Sequence, residues 1–328
     1  MKKIRIGFAG LRHGHIFGLY NLARQNEYLD VAGVFEDSPE GMAEAEKNNV
    51  AVTHTDYKSL LAEVDAVAVG TFYADRGRLC IEALEAGKHV IADKPLCTRL
   101  DELAKIRELA EKKSLTVGMM LDLRDNKNVV AAKELTDSGE IGKINNICFQ
   151  GYHPLMYGVR PDWYFEKGKH GGVINDIAIH GVDLVRRFTG SDLDTVIGAR
   201  CWNFYAKQCR HFRDSAQFML KMSNGAGVIA DVSYATPDNH GYNIPLYWNF
   251  AISGEKGMIT FNAASEGVFL YKLGSEPVIV KGKQPDRIYL DDIVDEIMNP
   301  AERTVTTETL RSAEQTLLIQ KSADRNDG

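Results

Sequence analysis

Residues 4–15 read IRIGFAGLRHGH. The apolar start of this stretch runs into a glycine, which is the pattern of a buried strand that leads into a phosphate-binding turn before a helix. Gly10 and Gly14 are present, but Arg12 and His15 stand where the dinucleotide pattern G-x-G-x-x-G has its second and third glycines. The stretch therefore predicts a strand–turn–helix unit, either a dinucleotide site or a tight turn with surface histidines.

The composition is that of an ordinary globular protein. The 328 residues, 44% hydrophobic and 26% charged, predict two domains with full cores. The net charge of −6 argues against a nucleic-acid partner, and no apolar run reaches the length of a membrane span. Since the five cysteines are scattered without a CxxC pair, we expect neither a disulfide framework nor a structural metal site, and a reducing cytoplasmic location.

Strand-like and helical segments alternate along residues 1–121. This alternation predicts parallel βαβ units, and so an α/β domain with a doubly wound parallel sheet. A linker of charged residues and turn formers, 122–128, follows this domain. The predicted strands are 4–9, 31–36, 51–54, 66–70, 89–92 and 116–119.

Residues 122–328 show a different pattern. Short strand-like runs separated by turn signals predict an α+β domain with a large, mostly antiparallel sheet. A helix is predicted at 173–188 and another at 308–324, and the polar tail 323–328 is expected to fray. The predicted strands are 143–153, 195–206, 215–222, 226–235, 246–254, 257–262 and 267–273.

Two predicted strands of the first domain end in charged residues, at the sheet edge where doubly wound folds bind ligands. Glu36 lies about 20 residues beyond the glycine turn, as expected for a carboxylate that binds a ribose diol. Glu36 and Asp37 would repel a 2′-phosphate, and no arginine lies between Glu36 and Gly41, so the sequence favours NAD over NADP. Asp93-Lys94-Pro95 closes another strand, and the proline fixes the backbone beside the lysine. A solvated turn carboxylate and a surface lysine are the simpler interpretations.

Asp176, His180 and Asp183 have the spacing i, i+4 and i+7, which places them on one face of the predicted helix. A histidine beside a carboxylate is a common general base near neutral pH. The same spacing suits a metal, with His153 or His170 as a further ligand, or a purely structural polar face.

Taken in order, several stretches resemble the Gfo/Idh/MocA family, named after glucose–fructose oxidoreductase and inositol dehydrogenase. They are IRIGFAG, DAVAVGTFYADR, CIEALEAGKHVIADKPL, GGVINDIAIHGVDL and FAISGEKGMITF. The resemblance covers almost the whole chain. It implies a Rossmann domain that binds NAD(P), followed by a domain whose open antiparallel sheet commonly forms the oligomer interface. We therefore expect a homodimer or homotetramer.

The resemblance also implies residue roles. Lys94 matches a lysine next to nicotinamide, ribose and substrate, while Asp176 and His180 match a substrate-binding and acid/base pair. Arg12 departs from the family at the second glycine, and we expect it to compensate with charge-assisted hydrogen bonds to the pyrophosphate. Further departures are Asp93 in place of a glutamate, and Phe72, Tyr73 and Arg76 in place of Pro-Asn and a histidine. The expected cofactor-binding residues are Gly7, Gly10, Leu11, Arg12, His13, Gly14, Glu36, Thr71, Phe72, Tyr73, Arg76, Asp93, Lys94 and Pro95.

The expected function is hydride transfer between nicotinamide and a secondary alcohol or ketone of a sugar, cyclitol or glycoside. His180 would act as the base, Asp176 would orient it or bind a neighbouring hydroxyl, and Lys94 would polarise the oxygen and hold the ribose. The sequence does not decide how the proton is divided between Lys94 and His180. An NAD-dependent lyase or glycosidase with transient oxidation, and an NAD-binding sugar sensor without turnover, are the alternatives. The expected substrate-binding residues are Tyr152, His153, Arg160, Trp163, Asp176 and His180, followed by Tyr164, Lys169 and His170, with Asp122 and Arg124 weaker.

Overall fold

The computed structural model describes residues 3–326, which form two compact units. The first unit holds the described residues up to Met120, together with Pro161–Gly171 and Tyr289–Glu314; the second holds Leu121–Arg160, Gly172–Ile288 and the described residues from Gln315. We predicted one change of domain, after residue 121. In the structure, the first boundary between the units lies between Met120 and Leu121, and the chain then returns twice to the first unit.

A five-stranded parallel sheet forms the centre of the first unit, in the order β2-β1-β3-β4-β5. Its middle strand reads Ala-Val-Ala-Val with every residue buried, because a parallel sheet is covered on both faces. The predicted strand at 51–54 is wrong. The N–H groups of Thr53 and His54 both donate to the carbonyl oxygen of Val34, so only a single bridge between Phe35 and His54 forms. The strands are β1 (Ile4–Ala9), β2 (Leu29–Phe35), β3 (Ala66–Val69), β4 (His89–Ala92) and β5 (Val117–Met119).

Helices cover this sheet. The first buries Ile16, Leu19 and Ala23, which is the apolar face that its sequence spacing indicates. An unpredicted helix packs directly on β5, since a Cβ on Gly118 would lie 2.6 Å from Cδ1 of Ile293. The helices are α1 (His15–Gln25), α2 (Pro39–Lys47), α3 (Tyr57–Glu63), α4 (Tyr73–Glu85), α5 (Leu100–Lys113) and α8 (Tyr289–Met298).

An eight-stranded sheet forms the centre of the second unit, in the order β13-β12-β11-β10-β6-β9-β8-β7. β6 and β9 pair in parallel and the other neighbours are antiparallel, which confirms the predicted large, mostly antiparallel sheet. The short edge strand β13 was not predicted. The strands are β6 (Ile144–Pro154), β7 (Leu193–Trp202), β8 (Ser215–Met222), β9 (Gly227–Thr236), β10 (Asn249–Gly254), β11 (Gly257–Asn262), β12 (Gly267–Lys272) and β13 (Val278–Lys281).

The segment predicted as a linker is structured. Asp122–Asp125 forms a 3₁₀ turn, and Asn126 caps the next helix by accepting the N–H of Asn128 at 3.0 Å. The predicted helix at 173–188 is a π-helical turn, Ile174–Ala178, followed by a regular helix. The helices are α6 (Lys127–Asp137), α7 (Ile179–Thr189) and α9 (Thr304–Arg325), which enters this unit at Gln315.

Three smaller expectations concern the whole chain. The five cysteines are free thiols, as expected. Among the helices of residues 3–326, none combines the length and the apolar character that a membrane span needs. Of the tail predicted to fray, Arg325 still belongs to α9, and Asp327 and Gly328 lie outside the described residues.

Candidate active site

The turn between β1 and α1 is tightly packed at Gly10 and open at Gly14. Gly10 has a φ of +80°, and a Cβ there would lie 2.6 Å from the backbone nitrogen of Thr71, so the position requires glycine. A Cβ on Gly14 would instead meet open space, and α1 begins directly after it without an acidic residue in its first turn. Such an exposed helix N-terminus fits the diphosphate of a dinucleotide.

Two residues of the predicted cofactor set face inward at this turn. A Cβ on Gly7 would lie 2.9 Å from Leu60, so Gly7 allows α3 to pack against β1 and does not face a ligand. The Leu11 side chain is fully buried. The loop contributes to a cofactor site mainly through the backbone around Gly14.

Glu36 is buried at the end of β2 and is not a solvated turn carboxylate. Its Oε2 accepts the N–H of Leu11 at 2.6 Å, and its Oε1 accepts the N–H groups of Asp37 and Ser38 at 2.9 and 2.8 Å. The guanidinium of Arg12 adds two contacts of 3.2 Å. Glu36 therefore ties the glycine loop to β2, and its role at a ribose stays a prediction.

The side chain of Arg12 contacts the carboxylates at the end of β2. Its guanidinium pairs with Glu36 and Asp37 and lies 5.4 Å from the centre of the Phe72 ring. We predicted hydrogen bonds from Arg12 to the pyrophosphate. The structure instead turns the side chain to the end of β2, because two carboxylates there offer opposite charge.

Asp93 and Arg76 form a fully buried ion pair beneath Lys94. Nη2 of Arg76 donates to Asp93 at 2.8 Å, Nε donates to the carbonyl oxygen of Thr71 at 2.9 Å, and Nη1 donates to that of Lys94. Burial alone would raise the pKa of Asp93, but Arg76 and His13 outweigh it and hold that pKa well below its usual range. Arg76 and Asp93 were predicted to bind cofactor. Because both are inaccessible, they position the Lys94 turn instead.

A chain of buried hydrogen bonds continues from Asp93. Nδ1 of His13 lies 2.5 Å from Asp93, its Nε2 lies 3.0 Å from the Tyr73 hydroxyl, and that hydroxyl lies 3.0 Å from the hydroxyl of Tyr164. Burial lowers the pKa of His13 to about 3, although Asp93 opposes the shift. His13 and Tyr73, both in the predicted cofactor set, thus form an internal support for the loop.

Trp163 belongs to the first unit, in the segment Pro161–Gly171. It is buried, and its indole N–H donates to the carbonyl oxygen of Arg12 at 3.0 Å. We predicted that Trp163 binds substrate. The structure uses its polar atom to cover the glycine loop.

The one group of possible metal ligands among residues 3–326 is not the predicted one around Asp176 and His180. His13, His15 and Asp93 offer ligand atoms within 4.8 Å of one another. However, Arg76 already neutralises Asp93 at 2.8 Å, so a cation would compete with a buried guanidinium. Of the ligands proposed for a metal beside Asp176 and His180, His170 belongs to the first unit and His153 to the second.

The second unit positions Asp176, His180 and Asp183 around the start of α7, where all three are buried. Because the π-helical turn contains more residues per turn, a spacing of four no longer aligns Asp176 with His180 as in a regular helix. Asp176 accepts a hydrogen bond from the hydroxyl of Tyr234. Nε2 of His180 lies 3.9 Å from Oδ1 of Asp122.

Arg124 holds Asp183 through two contacts, Nε to Oδ2 at 2.7 Å and Nη2 to Oδ1 at 2.5 Å. The sequence ranked Asp122 and Arg124 as weak candidates. In the structure, Asp122 lies 3.9 Å from His180 and Arg124 pairs with Asp183. We therefore interpret Asp183 as a structural member of the group.

An aromatic wall formed by Trp248 and Tyr247 lies beside His180 and His153. Trp248, at a φ of +52°, places its ring 5.5 Å from that of His180 and 5.6 Å from that of His153. Tyr247 lies 5.3 Å from His153, and burial, followed by the charge of Asp122, raises the pKa of Tyr247 to about 12. Sequence reasoning missed Trp248, Tyr247 and Tyr234, although the first two stand together just before β10. A non-glycine residue at positive φ is uncommon and often marks a functional site.

Tyr152 and His153 project from opposite faces of β6. The hydroxyl of Tyr152 donates to Asp231 of β9 at 2.8 Å, whereas His153 packs among the aromatic residues beside His180. The two side chains therefore have different contacts, and substrate binding by Tyr152 stays a prediction. Arg160, also predicted to bind substrate, donates to the carbonyl oxygens of Pro154 and Leu155 and lies 5.5 Å from the ring of Tyr234.

Two known domain families match the sequence. The oxidoreductase family Gfo/Idh/MocA, described as an NAD-binding Rossmann fold, matches residues 4–121, and the GFO/IDH/MocA C-terminal domain matches residues 129–260. The chain therefore belongs to the Gfo/Idh/MocA family, as the resemblance implied.

Individual relatives are more distant. Levoglucosan dehydrogenase of Pseudarthrobacter phenanthrenivorans is 28% identical over 256 residues, 70% of this chain and 64% of that protein. The scyllo-inositol 2-dehydrogenase (NAD+) of Bacillus subtilis is 27% identical over 178 residues, 54% of this chain and 51% of that protein. The chain thus spans about half to two thirds of these relatives. An NAD-binding protein from Listeria innocua has a TM-score of 0.81 at 21% identity, covers 99% of this chain and 96% of its own, and shows the fold alone.

Proposed function

We propose that this chain is an NAD-dependent oxidoreductase that moves a hydride between nicotinamide and a secondary alcohol of a sugar, cyclitol or glycoside. The observation that supports this most is the placement of His180. It is buried in an aromatic wall with a carboxylate of Asp122 3.9 Å from its Nε2. The names of the relatives, a levoglucosan and a scyllo-inositol dehydrogenase, favour a polyhydroxylated ring as substrate.

The residues divide the work as follows. His180 accepts the hydroxyl proton at Nε2, and Asp122 stabilises the imidazolium that results. Asp176, whose carboxylate accepts a hydrogen bond from the hydroxyl of Tyr234, binds a neighbouring substrate hydroxyl in this proposal. The family resemblance implies that Lys94 polarises the reacting oxygen; in the structure its backbone carbonyl oxygen accepts a hydrogen bond from Arg76, which pairs with Asp93. Bound nicotinamide supplies the hydride acceptor.

The cofactor in this proposal is NAD and not NADP. The end of β2 carries Glu36 and Asp37, of which Asp37 is the exposed one, with 58% of its side chain accessible. An exposed carboxylate repels a 2′-phosphate but accepts a hydrogen bond from a ribose hydroxyl.

Cofactor titration followed by a substrate panel tests the proposal. NAD⁺, NADH and NADP⁺ are titrated separately into the purified protein, and the change in tryptophan fluorescence is followed. Sugars, anhydrosugars and cyclitols are then screened with NAD⁺ for NADH absorbance at about 340 nm. We expect tighter binding of NAD⁺ than of NADP⁺ and NADH formation with at least one polyol. Binding of NAD⁺ without any turnover across the panel would favour a sensor, and absence of binding would overturn the proposal.

We also propose that two copies associate through the open face of the second unit's sheet. One register row on this face includes Met219, Ile229 and Cys148, of which Ile229 is 53% and Met219 is 44% exposed. Apolar side chains in a contiguous row usually mark an interface. Light scattering should show a dimer or tetramer that Ile229→Lys dissociates. Cys148, which is exposed in the single chain, should react with a thiol reagent only in that variant. A monomeric wild-type protein would contradict this proposal.

A further inference from the structure

The carboxylate of Glu36 has little capacity left for a ribose. Its two oxygens provide about four acceptor sites. Five N–H contacts already use them, from the backbones of Leu11, Asp37 and Ser38 and from Nε and Nη2 of Arg12. A diol that bound to Glu36 would displace contacts that hold the glycine loop. Glu36 is therefore better described as the anchor of this loop.

The accessible groups at the end of β2 are Asp37 and Arg12. The side chain of Asp37 is 58% exposed and that of Arg12 is 17% exposed, and the two form an ion pair. The Phe72 ring, 5.4 Å from the guanidinium, holds Arg12 in place from another side. All these residues belong to the first unit.

We propose that the Arg12–Asp37 pair, and not Glu36, recognises the 2′ position of the cofactor's adenosine ribose. This inference rests on the proposed function, because it assumes that a nicotinamide dinucleotide binds here. Asp37 accepts the ribose hydroxyl. Asp37 also forms an ion pair with Arg12. The guanidinium is therefore not available to a 2′-phosphate, although arginine is the side chain best suited to bind one.

A specific consequence is a latent site for NADP. The sequence shows no arginine between Glu36 and Gly41, but the fold brings Arg12 to this position from the glycine loop. Replacing Asp37 by asparagine removes one negative charge and releases Arg12, while Glu36 and Phe72 still orient the guanidinium. The Asp37→Asn protein should therefore accept a 2′-phosphate.

The test compares the dissociation constants of NAD⁺ and NADP⁺ in the wild-type protein and four variants at low salt, by tryptophan fluorescence. Asp37→Asn should tighten NADP⁺ binding about tenfold, the factor for one removed charge at about 6 Å from a dianion in water. Asp37→Asn combined with Arg12→Met should lose that gain. The matched control is Asp30→Asn, which removes the same charge from an exposed position about 23 Å along β2 and should leave both constants unchanged. Thermal unfolding of each variant verifies that it is folded.

The outcomes separate this inference from the proposed function. If the wild-type protein binds neither dinucleotide, the proposed function fails and the inference fails with it. If wild type binds NAD⁺ but Asp37→Asn leaves the ratio of the two constants unchanged, the proposed function stands and the inference is overturned. It is also overturned if Glu36→Gln, and not Asp37→Asn, shifts that ratio toward NADP⁺. A shift of the ratio by Asp37→Asn that requires Arg12 supports it.

Discussion

Replacing Arg76 by methionine should destabilise the first unit strongly. The guanidinium is fully buried, pairs with the buried Asp93 at 2.8 Å and satisfies the carbonyl oxygens of Thr71 and Lys94. Breaking a buried ion pair leaves an uncompensated charge, which costs about 3–5 kcal/mol. The two carbonyl oxygens lose a donor as well. We therefore expect a loss of about 4 kcal/mol in the free energy of unfolding, or roughly 8–16 °C in melting temperature.

Arg78 provides the matched control on the same helix. It pairs with Asp75 at 2.8 Å and Glu82 at 2.6 Å, but it is 56% exposed. Exposed pairs contribute about 1 kcal/mol or less, so Arg78→Met should be close to neutral. Urea unfolding followed by tryptophan fluorescence compares the two variants in one assay.

The double variant Arg76→Met/Asp93→Asn should recover at least half of the loss, because it removes the orphaned charge together with its partner. In the single variant, Asp93 stays buried without its guanidinium, which raises its pKa. The deficit relative to wild type should then shrink as the pH falls toward 4, where Asp93 can take up a proton. If Arg76→Met costs no more than Arg78→Met, or if the double variant is no more stable than the single one, the reasoning about this buried pair is refuted.

Three further predictions concern other parts of the molecule. Arg124→Gln should lower the free energy of unfolding in urea by about 2–4 kcal/mol, because the buried Asp183 loses both contacts. Adding Asp183→Asn should recover part of this loss, and equal stability of the single and double variants would contradict the prediction. The pKa of His13 is about 3 in the folded protein and 6.5 in the unfolded chain, so His13 lowers the free energy of unfolding as the pH falls from 6.5 toward 3. His13→Gln should therefore remove about 3 kcal/mol of the stability lost between pH 7 and 4. The same dependence of stability on pH in the variant and in wild type would rule this out. Tyr234→Phe should lower kcat/KM about ten- to a hundredfold in the dehydrogenase assay, since it removes the donor to Asp176, whereas Tyr152→Phe should have little effect; the reverse order would place the site on the other sheet face.

Much of the fold is readable from the sequence because buried strands leave continuous apolar runs. β1 and β4 match their predicted ranges residue for residue, as do β8 and β11 in the second unit. The segment 51–54 failed because strand formation requires a pairing partner, which a local pattern does not reveal. α8 was predictable, since Ile293 and Ile297 follow helical spacing, but its place on β5 was not.

The candidate site was predicted less completely, for two physical reasons. Residue type does not reveal accessibility: Arg76 has the chemistry of a phosphate ligand, yet it is wholly buried beneath Lys94. Contacts between distant segments are also invisible to spacing: Arg124 and Asp183 meet although they are 59 residues apart, and Arg12 reaches Glu36 from 24 residues away. The motif identifies His180 and Asp176 as candidates, but it does not reveal their contacts with Asp122 and Tyr234.

The rate of hydride transfer in the His180→Ala variant tests the proposed function most directly. With a substrate from the polyol panel, NADH formation in a single turnover is compared with that of wild type, and the dissociation constant of NAD⁺ is measured on the same samples. We predict a rate about 10²–10⁴-fold below wild type with NAD⁺ binding unchanged, because the variant lacks only its general base. A His180→Ala protein that forms NADH at the wild-type rate would contradict the assignment of this site.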